Sequence, residues 1–260
     1  MATNSGARRT FALATFALAS LLAASGAVAS PEVPGYLVVA RDLVRHIAPE
    51  NNHYQLGGEF ISFPGDAPNA TYAMRADCSG FLLAVLERAG YSTREHMTYL
   101  NPSSKRKRPA AEDFFASIDQ QKGFTRVAHV ADIQPGDLIA HAMINPDDKK
   151  EVGTTGHVFL VDGRPRPILA RAPFVAGTEQ FEVKIIDSNN EQVGDDDTRL
   201  ASRTQKLEGL GTGTIRLYAD ADGVLVGWAR TFAKTKLFFS YDARFPSETR
   251  VRRAAIGRPL

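Results

Sequence analysis

One cysteine, Cys78, is all the thiol chemistry that this 260-residue chain contains. A single thiol excludes an internal disulfide. Nor does charge of one sign dominate. Lys and Arg number 31 against 29 Asp and Glu, and two of the basic residues, Arg8 and Arg9, are the only charges among the first 29 positions. The rest of the chain is therefore neutral, which removes the electrostatic argument for a nucleic-acid partner. Beyond the N-terminal segment no stretch is long and apolar enough to cross a bilayer core of ~30 Å. There is no Gly-rich phosphate loop, no internal repeat and no His/Cys/Asp/Glu cluster with metal-ligand spacing, so neither cofactor nor metal is implied. What is there, 43% hydrophobic and 23% charged residues, has the composition of an ordinary globular domain.

The N-terminus has the pattern of a targeting segment. Arg8-Arg9 precede an apolar run from Phe11 to Ala24, and Ala27-Val28-Ala29 offers a small-x-small cleavage site before Ser30-Pro31. These features predict a signal peptide over 1–29 and a single domain over 30–260. The alternative is an uncleaved anchor, for which the apolar run is short. Arg8-Arg9-Thr10-Phe11 partly matches a twin-arginine signal, with Sec export as the default. No cysteine stands directly after the cleavage site, where the chain has Ser30, so lipid anchoring is unsupported and no stable membrane insertion is expected after cleavage. The expected location is the periplasm or the extracellular space. In that setting a lone thiol is either reactive or buried.

Cys78 lies in Asp77-Cys78-Ser79-Gly80-Phe81, where a loop turns into a helix. Phe81, Leu82, Val85, Leu86 and Ala89 recur at helical spacing, and Gly90 ends the run. A helix N-terminus presents unpaired N–H groups and partial positive charge, which favour a thiolate and can hold an oxyanion. Asp77 is placed to cap the helix, and Gly80 leaves room for a close approach. The competing reading of Cys78 is a small buried hydrophobe.

Taken in order, Tyr36, Leu37, Ala40, Leu43, Val44 and Ile47 predict a helix over 35–48, ended by Pro49. Residues 51–60 read as a loop in which Tyr54 precedes a tight turn at Gly57-Gly58, and 64–76 as irregular. The basic run Ser103 to Pro109 reads as a solvated loop, and 110–119 as a short helix. Strands follow at 138–144, 157–162 and 181–187. A hairpin joins 214–219 to 224–232 across Asp220-Ala221-Asp222-Gly223. Residues 145–156, 164–180 and 188–212 read as loops or excursions, 237–241 as a short edge strand, and the basic tail from Arg250 as frayed. Helices first and strands after them imply an α+β fold, with N-terminal helices packed on a central antiparallel sheet.

A nucleophilic thiol needs a base, and the base needs a group that fixes its tautomer. Alternation along 157–162 puts His157, Phe159 and Val161 on one face and Val158 and Leu160 on the other. His157 is the first candidate for the base. The apolar face Phe181, Val183, Ile185 ends in Asp187, the first candidate for the orienting group, with Asn189 second and Ser188 third. His46 reads as a surface residue, His96 and His129 as loop residues and His53 as a neighbour of Tyr54. His141, on a strand, is the rival base. Tyr54, Ser79 and Asn189 are candidate oxyanion and substrate contacts.

The ordered set of motifs resembles the NlpC family of cell-wall cysteine peptidases, which has a papain-like, CHAP-related fold. Asp77-Cys78-Ser79-Gly80-Phe81 is similar to its nucleophile motif and Pro135-Gly136-Asp137-Leu138 to the start of its next strand. Gly156-His157-Val158 with Asp162-Gly163 is similar to its histidine strand and turn. Tyr54-Gln55-Leu56-Gly57-Gly58 is similar to its upstream tyrosine motif, whose tyrosine lies near the nucleophile. One departure is Asp187 after Ile186, where the family typically carries histidine. The resemblance covers about 35–190 and leaves 191–260 as a β extension of unassigned role. It implies an exported cysteine peptidase or amidase. Such an enzyme cuts a peptidoglycan stem-peptide bond through Cys78, His157 and Asp187 with a thioester intermediate. An N-acetylmuramoyl amidase, an acyltransferase and a non-catalytic wall-binding module are the alternatives, and oligomeric state stays open.

Overall fold

Apolar residues three and four apart build three helices that share one core. Helix α1 (Gly35–His46) buries Tyr36, Leu37, Ala40 and Leu43. Helix α2 (Cys78–Arg88) buries Phe81, Leu82, Val85 and Leu86, and α3 (Ala111–Asp119) buries Phe114, Phe115 and Ile118. The computed structural model describes residues 1, 32–91, 108–143, 154–200, 207–230, 239–240 and 252–260. The chain divides into Met1–Glu32 and Val33–Leu260. Of the first only Met1 and Glu32 are described, so the predicted signal peptide and its cleavage site lie outside the described residues. His96, most of the basic run before Arg108 and most of the 145–156 loop lie outside them too. No helix among the described residues is long and apolar enough to cross a membrane.

Two sheets complete the α+β fold. The small one is β1 (Asn52–Tyr54), β3 (Ala73–Ala76) and β2 (Glu59–Ser62), with β3 central, parallel to β1 and antiparallel to β2. The large one is antiparallel throughout. Its strands are β4 (Phe124–Val127), β5 (Leu138–Met143), β6 (Gly156–Val161), β7 (Arg166–Ile168), β8 (Glu179–Asn189), β9 (Gly209–Ala219), β10 (Leu225–Ala229), β11 (Phe239–Ser240) and β12 (Arg252–Pro259). They run in the order β11-β10-β9-β8-β6-β5-β12-β4, with β7 on β8.

Strands β5 and β6 are buried along their whole length because both faces of the sheet are covered. Leu138, Ala140, Val158, Leu160 and Ile186 pack against the helices. Ile139, Phe159, Val161, Ile185, Ile215 and Leu217 turn the other way and close around Trp228. The sheet curls until its ends meet, where His129 bridges Val224 and Val130 N–H donates to Gly223 O at 2.9 Å. Such curling explains how a strand with period-2 alternation becomes apolar on both sides.

Several motif residues fasten this frame. Gly136 has φ +98°, a left-handed conformation suited to glycine, and its carbonyl accepts from the Tyr36 hydroxyl at 2.9 Å. The buried Asp137 carboxylate accepts from Gln134 N–H at 2.8 Å and from the Arg258 guanidinium at 2.8 and 3.0 Å. Asp162 holds Arg41 of α1 at 2.6 Å.

The structure departs from the sequence expectations at several places. Residues 51–60 hold β1 and the start of β2, and 64–76 hold β3, rather than loop alone, and 164–180 contains β7. Strand β4 was not anticipated. Of the tail expected to be frayed from Arg250, the described residues 252–259 form β12, which pairs with both β5 and β4 inside the sheet. Arg108, read as part of a solvated loop, has a side chain only 12% exposed and is tied to Asp77.

Candidate active site

Local backbone chemistry makes the start of α2. The Asp77 side chain caps the helix by accepting from Gly80 N–H at 2.9 Å. It also accepts from Gly57 N–H at 2.8 Å, from the Ser79 hydroxyl at 3.0 Å and from Arg108. The tyrosine-motif loop is thereby pinned onto the nucleophile motif. Gly80 is required because a Cβ there would lie 1.9 Å from the Gly58 carbonyl oxygen. The close approach foreseen at Gly80 is made by the chain's own backbone.

Register delivers the remaining groups. Tyr54 ends β1 opposite Ala76, two residues before Cys78. On the large sheet His157 pairs with His141, and β8 runs beside β6. Gly156 precedes His157 with φ +151°, and a Cβ there would lie 1.9 Å from His141 O. Strand β5 thus presses against the backbone at the point that launches the histidine.

The structure brings Cys78, His157 and Asp187 together. Cys78 is 7% exposed, His157 7% and Asp187 1%. His157 Nε2 lies 2.8 Å from Asp187 Oδ2, and the ring also engages the Cys78 sulfur, for which Nδ1 remains. Burial lowers the His157 pKa. The Cys78 charge and the Asp187 carboxylate outweigh burial and raise it to about 9. Burial would raise the pKa of Asp187, but the Arg199 guanidinium, and then His157, hold it at about 2. Asp187 therefore stays ionised and favours the Nε2–H form of the ring.

The other candidates are placed as follows. The Asn189 side-chain amide donates to Asp187 Oδ2 at 3.2 Å, so it supports the orienting carboxylate. Ser188 faces away, donating to Ala76 O at 2.7 Å. The Ser79 hydroxyl is committed to Asp77 and accepts from Arg108 at 2.8 Å. Burial, then the charges of Cys78 and Asp77, push the Tyr54 phenol above its ordinary range, so it keeps its proton at neutral pH. His141 is fully buried, makes no hydrogen bond among the described residues and borders neither cavity at Cys78. His46, His53 and His129 are exposed.

Two further residues of the candidate site were not expected from the sequence. Arg199, 2% exposed, reaches Asp187 Oδ1 and Asp197 Oδ2 at 2.7 Å each and Gly209 O at 3.0 Å. Arg108 clamps the loop and the helix cap. Arg199 is a single arginine in a polar stretch with no pattern around it, and Arg108 closes a basic run that reads as solvated; only the fold pairs them with buried carboxylates.

Cys78 stands where two cavities adjoin. One, about 530 Å³, is walled by Tyr54, Gly57, Glu59, Ser79, Arg108 and Thr155. The other, about 290 Å³, is walled by Tyr54, His157, Asn189, Glu191, Arg230 and Arg252. A third, of about 550 Å³, lies on the far side of Arg199, and no member of the Cys78, His157 and Asp187 group lines it. Among the described residues no cluster of His, Cys, Asp and Glu is arranged to hold a metal ion.

No family model matches the chain, and no solved structure matches it. Over 209 residues it is 30% identical to an uncharacterized protein of Acanthamoeba polyphaga mimivirus, a match that spans 77% of this chain and 89% of the viral one.

Proposed function

This chain and the uncharacterized mimivirus protein belong to one family, and from the geometry of the site we propose that the protein is an exported cysteine hydrolase that cleaves an amide bond in peptidoglycan stem peptides. The observation that carries the reading is the buried Cys78, His157 and Asp187 chain at the start of α2, open to two cavities. A papain-like, NlpC-type arrangement fits a nucleophile helix packed on an antiparallel sheet that bears the base and the acid. The peptidoglycan substrate and the location outside the cytoplasm rest on the resemblance of the four motifs and on the signal-like N-terminus.

The chemistry balances as follows. The Cys78 thiolate adds to the carbonyl carbon, and the developing oxyanion is held by the Cys78 backbone N–H with the protonated Tyr54 hydroxyl beside it. The carbon–nitrogen bond breaks as His157 gives its proton to the departing amine. Water then attacks the thioester, His157 takes a proton from it, and the carbon–sulfur bond breaks to restore the thiolate. Asp187, fixed by Arg199 and Asn189, orients the ring throughout.

The test is incubation of the mature protein with purified muropeptides, with mass analysis of the products. Cleavage by the wild type and its loss in Cys78→Ala, at unchanged circular dichroism, are expected. Undiminished cleavage in that variant would sink the mechanism. A product retaining an acyl group on an acceptor other than water would instead identify a transferase.

A further inference from the structure

Far from Cys78, one loop displays apolar side chains among basic ones. Leu169 is 88% exposed and Phe174 72%, and both stand on the segment 169–178 that joins β7 to β8. Single exposed apolar residues are ordinary on a protein surface; two on one firmly held loop are not.

The loop is held by buried polar side chains of the large sheet. Gln180 accepts from Arg171 N–H at 2.9 Å and donates to Arg171 O at 2.8 Å and Pro173 O at 3.3 Å. Arg216 of β9 donates to Arg171 O and Ala172 O at 2.9 Å each, and the Tyr218 hydroxyl donates to Pro173 O at 2.9 Å. All three side chains are buried. Val175 packs on Tyr218, Val226 and Ala229. The backbone between Leu169 and Phe174 is therefore fixed in advance, and little further ordering is needed for the loop to engage a partner.

Charge and backbone chemistry select that partner. Residues 164–178 contain Arg164, Arg166 and Arg171 and no carboxylate. All three arginines are exposed, and Arg166 pairs with Glu182 of β8. Among the described strands β7 is bonded to β8 alone, so its outer edge is open. Another chain adding a strand there would need backbone donors, and Pro165 and Pro167 have none. A leucine and a phenylalanine between arginines match instead the boundary of an anionic bilayer, where apolar side chains enter the acyl region and guanidinium groups meet phosphates. Gln180 and Asp187 stand seven residues apart on β8, roughly 23 Å at about 3.3 Å per residue, so this surface is separate from the cavities at Cys78.

We propose that the loop 169–178 is a membrane-docking surface: Leu169 and Phe174 enter the interface of a bilayer containing anionic phospholipid, and Arg164 and Arg171 meet its headgroups. The contact is peripheral and reversible, because two side chains bury too little apolar surface for lasting insertion. It does not depend on the hydrolase reading.

The test is co-sedimentation with vesicles of phosphatidylglycerol and phosphatidylcholine in equal parts, and with vesicles of phosphatidylcholine alone. The chain used lacks residues 1–29, whose apolar run would itself bind lipid; Val33–Leu260 is a compact unit of its own. Binding to the anionic vesicles is expected to be at least about tenfold stronger than to the neutral ones and to weaken as salt rises. Leu169→Ser with Phe174→Ser should weaken it by at least about tenfold. Arg164→Gln with Arg171→Gln should remove most of the preference for anionic lipid. These side chains are exposed, so circular dichroism should not change. No binding to anionic vesicles, or equal binding by the Leu169 and Phe174 double variant, overturns the proposal. Self-association that this double variant abolishes, without lipid binding, also overturns it and gives the surface to a second copy of the chain. Cleavage of soluble muropeptides should be the same in all these proteins, so the hydrolase reading stands or falls separately.

Discussion

Asp187 shows how single residues set this site. A carboxylate 1% exposed is costly to ionise unless charged partners surround it, and Arg199 and His157 do so from opposite oxygens. Arg199 in turn spans Asp187 and Asp197, so the orienting acid is fixed from behind before any substrate arrives. With its pKa raised to about 9, His157 keeps across the neutral range the proton that the proposed mechanism has it deliver. Turnover is therefore expected to fall along an alkaline limb near pH 9, since above that value the ring no longer holds a proton to give. Asp187→Asn should move that limb down, because it removes one of the interactions that raise the pKa, and should lower kcat by about 10²–10⁴-fold. Measuring kcat against pH in both proteins decides the matter. A wild-type limb at the ordinary histidine value of 6.5 would contradict the assigned proton donor.

At the scale of elements, what was readable in the chain depended on whether periodicity or backbone contact builds the element. Helix α2 was legible because five apolar residues keep helical spacing between a capping Asp77 and a stop at Gly90. Strands β6 and β8 were legible through alternation of their apolar residues. The small sheet was not legible. Asn52-His53-Tyr54 and Ala73-Met74-Arg75-Ala76 are short and mixed in polarity, and main-chain pairing holds them. Their purpose is visible only in the packing of Gly58 against Gly80. Gly80→Ala puts a methyl group against a backbone oxygen, where no side-chain rotation relieves it. The expected cost is at least ~1–3 kcal/mol in urea denaturation, as for overpacked sites. Faster iodoacetamide labelling of Cys78 should accompany it, as the loop lifts from the helix start. A stable variant with unchanged labelling would mean that the loop does not seat the nucleophile.

The whole molecule depends on a segment that composition hides. Arg252, Arg253 and Arg258 dominate residues 252–259, and a run so basic reads as solvated tail. Yet β12 lies between β5 and β4, paired from Arg252 opposite Met143 to Pro259 opposite Phe124. Main-chain bonds on both sides carry the strand, with Ile256 buried against the Trp228 cluster and Arg258 against Asp137. The residues that look like extension therefore complete the sheet beside His157, and they bring Arg252 to the cavity at Cys78. Deleting 252–260 would leave two strands with unpaired donors and acceptors in the sheet interior; at about 1–3 kcal/mol for each buried orphaned group, several such groups cost about as much as the 5–15 kcal/mol of a typical domain's stability. The truncated chain is expected to lack a cooperative thermal transition and native near-ultraviolet dichroism. A peptide of residues 250–260 added in trans should restore part of both if the vacant slot persists. A truncated protein that melts like the wild type would show instead that β5 and β4 close the sheet without it.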